Sequence, residues 1–88
     1  MKHTLGDKEF QIVSATARAV IEAEKKIGRP IASLKDNPSY EAICQLYCCA
    51  IIASDDTVNS DWVLDNMKFS DMEEQAQVVA HFLEVKTS

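Results

Sequence analysis

Eighty-eight residues, 47% hydrophobic and 26% charged with two glycines and two prolines, suffice for one domain (1–88) and exclude a disordered or low-complexity chain. Three cysteines, all between positions 44 and 49, exclude a disulfide scaffold, and no apolar run approaches the roughly 20 residues of a membrane-spanning helix. A net charge of −5 without a basic stripe argues against nucleic acid as the main partner, and no apolar signal core follows Met1, so a soluble cytoplasmic protein is expected.

The first predicted element is a small β-hairpin over about residues 3–13. Thr4-Leu5 and Phe10-Gln11-Ile12-Val13 flank Gly6-Asp7-Lys8-Glu9, a turn-like cluster. Phe10 and Ile12 alternate with Glu9, Gln11 and Val13 at the period of a strand, while the first arm reads as short. Ser14 then has the chemistry of an N-cap for a helix over 15–27. Ala17, Val20, Ile21 and Ile27 share one face of it, with Glu24 breaking the stripe. Lys25 and Lys26 suit its C-terminal dipole, Gly28 supplies a left-handed cap, and Pro30 prevents continuation.

Ile31 to Leu34 form a short connector. Asn37 as cap and Pro38 at the first helical position open a second helix over 38–54. From Ala42 to Ala53 only Gln45 is polar. A helix apolar all round must be covered all round. Either it is the central helix of a small bundle, or one side is buried against another chain. Ser54-Asp55-Asp56-Thr57 breaks the pattern, and Asn59 or Ser60 caps a short helix over 61–67. Ser70 and Glu73 have the spacing of a capping box, with Phe69 as the staple before it. The last helix runs over 71–85, with Met72, Ala76, Val79, Ala80 and Leu83 as its inner stripe and Val78, Phe82 and Val85 widening it. The expected fold class is therefore mainly α, a hairpin followed by a compact bundle of four helices.

Charge is uneven along the chain. Residues 1–35 carry +3 and residues 36–88 carry −8. The two halves are ordinary solvated faces, or their opposition favours head-to-tail self-association.

No catalytic constellation is expected. Cys44 and Cys48 share a helix face and Cys49 lies well round it, with no CxxC and no Cys/His pair at zinc-ligand spacing. Mid-helix among Ile and Ala, they read as free thiols packed in a core. His3 and His81 stand in no motif and read as surface or partly satisfied histidines. Two glycines rule out a phosphate-cradling loop, so no cofactor and no metal is expected. What remains is interaction. The apolar excess of the second helix nominates Tyr47 and Ile51 as partner-binding residues. The junction of the last two helices nominates Trp62, Met67, Phe69 and Met72, the residue types favoured at binding surfaces and equally at home in a small core.

Leu5-Gly6-Asp7-Lys8-Glu9-Phe10-Gln11-Ile12 leads directly to Ala17-Arg18-Ala19-Val20-Ile21-Glu22-Ala23-Glu24-Lys25-Lys26-Ile27-Gly28-Arg29-Pro30-Ile31. This succession resembles the tail assembly chaperones of long-tailed phages and the related gene-transfer-agent tail proteins. There, a short hairpin enters a helix rich in Ala, Ile and Glu that closes at Gly-x-x-Ile. Ser60-Asp61-Trp62-Val63-Leu64-Asp65 and Met72-Glu73-Glu74-Gln75-Ala76 fit the family's last two helices. The likeness covers roughly residues 3–85 and rests on apolar spacing rather than a catalytic signature. It departs at Cys44, Cys48 and Cys49 and at the short first strand. It implies a non-enzymatic protein that binds the helical tape measure protein, keeps it soluble and self-associates during tail assembly. A second class of function is a small acidic helical interaction protein, a host-directed inhibitor or antitoxin-like module, with Asp55, Asp56, Asp61 and Asp65 presented to a basic partner.

Overall fold

Residues 1–34 and 36–83 are described by a computed structural model. Lys35, and the end of the last helix expected at 84–85 with its Val85, lie outside the described residues.

The chain opens with strand β1 (Lys2–Leu5) paired antiparallel to β2 (Lys8–Gln11), with Lys2 opposite Gln11 and His3 opposite Phe10. The first arm is a full four-residue strand, and the loop is the two residues Gly6-Asp7 rather than the expected four. Gly6 adopts φ +62°, the left-handed conformation that lets a hairpin close in two residues. The ladder continues past the strands, where the Ile12 N–H donates to Met1 O at 2.8 Å. Phe10 and Ile12 are buried and Glu9, Gln11 and Val13 exposed, as the alternation predicts. The inward positions of β1 are Leu5 and His3. A polar residue at one of them hid the period of that strand.

Gly6 is also hemmed in. A Cβ there would stand 2.8 Å from Asn66 Oδ1, on a side-chain amide whose Nδ2 donates to Trp62 O. At Gly28, φ +74°, the same Cβ would meet open space. Gly28→Ala therefore carries only the left-handed penalty, about 1 kcal/mol. Gly6→Ala adds the displacement of Asn66 and is expected to cost about 2 kcal/mol. Urea denaturation of the two variants side by side measures the difference.

Helix α1 (Ala17–Ile27) is capped by Thr16, whose Oγ1 accepts from the Ala19 N–H at 3.2 Å, and not by Ser14. The reason lies at the far end of the chain. The Ala15 N–H donates to Phe82 O at 2.6 Å and holds residues 14 and 15 out of the helix. The buried face of α1 also differs from the expected stripe. Ala23 is fully buried and Ala19, Val20 and Ile27 partly so, while Ala17 is exposed and Ile21 is 53% exposed. Glu24 faces inward because its carboxylate accepts the Ile31 N–H at 2.8 Å, tying the helix to the 3-10 turn Ile31–Leu34. The residue that broke the apolar pattern is thus a structural ligand of the following turn.

Helix α2 (Tyr40–Ser54) is capped by Ser39, two residues after the expected cap. Asn37 is consumed by the preceding turn, donating its N–H to Ser33 O and accepting Arg29 Nη2 at its carbonyl. The helix is central. It packs against α1, against α3 (Ser60–Asn66), against α4 (Met72–Phe82) and against β2. Ala42, Leu46, Tyr47, Cys48, Ala50 and Ile51 are buried within the chain itself. Asn59 caps α3, accepting the Trp62 N–H at 2.8 Å. A 3-10 turn, Phe69–Asp71, precedes α4. Ser70 lies inside that turn, so the capping box does not form and Asp71 stands at the cap without a side-chain bond.

The core face of α4 is Gln75, Val78, Val79 and Phe82. The expected inner stripe is displaced from it. Met72 is 39% exposed, Ala76 is exposed, Ala80 and Leu83 are half-buried, and only Val79 belongs to both. No helix among the described residues is long and apolar enough to cross a membrane.

Candidate functional site

Because α4 is apolar on two faces and buries one, the other is left over. It forms one wall of an open groove of about 450 Å³. Ile31, Ala32 and Leu34 of the 3-10 turn line it on one side, Ile43 and Leu46 of α2 form the base, and Ala76, Val79, Ala80 and Leu83 of α4 close it. None of the nine carries a polar side-chain atom. The methyl side chains of Ala76 and Ala80, one turn apart, keep the α4 wall low beside the larger Ile31, Leu34 and Leu83. Met72 continues the stripe one turn towards the N-terminus of α4.

Polar contacts fix that end. The Tyr40 hydroxyl donates to Gln75 Oε1 at 3.0 Å, and Gln75 Nε2 donates to Lys68 O at 2.9 Å. Gln75 is almost wholly buried, and both ends of its amide are satisfied. This locks the start of α2 to the linker before α4. Phe69 packs edge-on against Tyr40 with ring centroids 4.8 Å apart and remains 67% exposed.

The six nominated partner residues do not converge. Tyr47 and Ile51 are fully buried in this chain and present nothing to a partner, because α2 is covered by the chain's own elements. Trp62 and Met67 are half-buried against the core, Trp62 under the hairpin with its ring 6.2 Å from Phe10. Phe69 and Met72 are exposed, and neither lines the groove. Ile31, Leu34, Ala76, Ala80 and Leu83 were not nominated. The signal for the last three was the width of the apolar stripe on the last helix, too broad for one core face.

The groove offers no chemistry beyond burial. Among the described residues it is lined by no titratable side chain, and the described residues contain no group of three or more potential metal ligands. The cysteines are free, Cys48 buried and Cys44 and Cys49 half-buried. Burial pushes the Cys48 thiol up to about 11 and raises Cys49 as well, so neither is poised as a nucleophile. Of the four acidic residues offered to a basic partner, Asp55 is engaged internally. Its Oδ1 accepts the Thr57 N–H and hydroxyl at 3.0 and 2.6 Å, which holds its carboxyl below the usual value, and Lys8 pairs with it at 3.6 Å. Asp56, Asp61 and Asp65 face solvent. Compared with protein-family models, with curated proteins and with solved structures, the chain matches none.

Proposed function

We propose that this chain is a tail-assembly-chaperone-like protein that binds the apolar stripe of a helical tape measure protein in the groove between the Ile31–Leu34 turn, α2 and α4. The observation that carries the reading is the second apolar face of α4, left open beside a nonpolar base. Helix-in-groove recognition requires such a surface, filled by apolar anchors at i, i+3, i+4 and i+7 of the incoming helix. The order of hairpin, Ala-rich helix, apolar helix and two closing helices supports it through the resemblance drawn from the sequence. Without a cover, a long apolar helical protein aggregates, and a small acidic chain bound along it supplies both the cover and the charge.

Co-expression with the tape measure protein of the same genome tests the reading. The tape measure protein is expected in the soluble fraction, bound to this chain; its remaining insoluble at matched expression would refute the proposal. Self-association belongs to the same reading. Light scattering in line with size exclusion is expected to show mass growing with concentration, and a monomer at every concentration would remove self-association from it.

A further inference from the structure

We propose that His3 is an acid-sensitive latch that holds the N-terminal hairpin on the helical body. The latch is independent of the groove and of the chaperone reading.

His3 projects inward from β1 and is almost wholly buried, although nothing about a lone histidine near a terminus demands it. Its ring touches two helices at once. Nε2 hydrogen-bonds the Tyr47 hydroxyl of α2, and the rings meet edge-on with centroids 5.5 Å apart. Nδ1 lies 3.4 Å from Glu74 Oε1 of α4. One arrangement satisfies all three groups. Tyr47 donates to Nε2, and the neutral ring carries its proton on Nδ1, facing the Glu74 carboxylate. Burial raises the Tyr47 hydroxyl, so it stays a donor throughout the range in which histidine titrates.

Protonating His3 breaks this arrangement. Nε2 becomes a donor, Tyr47 must turn to accept, and its own proton loses its acceptor. The new charge sits where water is largely excluded. Glu74 faces it but is more than half exposed, which weakens its hold. Asp71 of the 3-10 turn and Lys68 of the linker line the same cleft with opposite charges. On the hairpin itself, Lys2 and Glu9 pair with each other at 3.9 Å, both side chains exposed to water. The cleft measures about 30 Å³, room for a water to deliver the proton. Burial lowers the affinity of His3 for a proton more than Glu74 raises it. A histidine of depressed affinity leaves docking at full strength above its free value of 6.5 and weakens it as pH falls below that value.

Hydrogen exchange on the whole chain, corrected for intrinsic rates, reads the latch. The reporters are strand amides of β1 and β2, with α2 amides as the internal reference. Between pH 7.5 and 5.0 the opening constant of the hairpin is expected to rise by more than threefold, towards a ceiling of about thirtyfold for one proton of free value 6.5. Opening of α2 is expected to change less than twofold. His3→Gln is expected to remove the dependence on pH. Glu74→Gln, which leaves His3 in place but withdraws its counter-charge, is expected to enlarge the rise at pH 5.0. The NMR titration of the His3 ring in the native chain is expected to fall below 6.5. The latch is overturned if hairpin opening is the same at both pH values, if the dependence survives in His3→Gln, if α2 opens in step with the hairpin, or if His3 titrates at or above 6.5.

Discussion

Phe82→Ala is expected to lower stability by about 3–5 kcal/mol, the usual cost of emptying a fully buried aromatic site. Phe82 has no exposed surface. It belongs to the core cluster and, from the last turn of α4, lines the same hollow as Ala19 of α1 and Cys49 and Ile52 of α2. Its backbone carbonyl also accepts the Ala15 N–H, so the same residue pins the segment that enters α1. A domain of this length holds roughly 4–13 kcal/mol in total, so the loss removes from about a quarter of its stability to all of it. At about 4–8 °C per kcal/mol for a domain of 60–100 residues, the midpoint of thermal unfolding is expected to fall by at least about 12 °C. Ile21→Ala is the contrast. The sequence pattern ranks Ile21 with the core, but it is 53% exposed, and its truncation is expected to stay within about 0.5 kcal/mol. Circular dichroism during heating of both variants checks the pair, and a small effect at Phe82 would mean that the last turn of α4 does not pack into the core as described.

That contrast marks where the sequence is legible and where it is not. The hairpin and the four helices follow from local signals: alternation in β2, Gly28 after α1, Asn59 before α3, and an apolar run too dense for anything but a central helix. The errors at helix starts share one cause. Ser14, Asn37 and Ser70 each have the chemistry of a cap, but the backbone around each is engaged by a partner that local pattern does not show: Phe82 O at Ala15, Ser33 O at Asn37, and Lys68 O at Asp71 in the turn that contains Ser70. The errors of face come from polar residues whose partners lie in other segments. Glu24 serves the Ile31 N–H, Gln75 joins Tyr40 to Lys68, and His3 joins Tyr47 to Glu74. Each reads as an interruption in one segment and is explained only by the next. The groove was hidden for the complementary reason. Met72, Ala76, Ala80 and Leu83 look like a core stripe because they are apolar and correctly spaced. Which of two apolar faces a helix buries is decided by the elements around it, here by α2 meeting Val78, Val79 and Phe82.

Ala76→Glu is expected to abolish the capture of a helical partner while leaving the fold intact. Ala76 is exposed on α4, so glutamate meets no steric barrier in the free chain, and its helix propensity lies close to that of alanine. The free variant is therefore expected to unfold within about 0.5 kcal/mol of the parent. The bound state is different. A helix lying on the low α4 wall covers position 76 with apolar surface, and a carboxylate there loses its water with no cation among the described groove residues to meet it. A penalty of at least about 1.4 kcal/mol, tenfold in affinity, is expected. Gln77→Glu adds the same charge to the neighbouring exposed position, about a quarter-turn round the helix and outside the groove. It changes the net charge equally and is expected to leave binding near the parent value. Pull-down of the co-expressed tape measure protein, with both variants at matched expression, separates the two effects. Loss at position 76 alone places the partner in the groove. Equal loss at both positions would make the interaction electrostatic in origin, and equal retention would put the partner elsewhere on the chain.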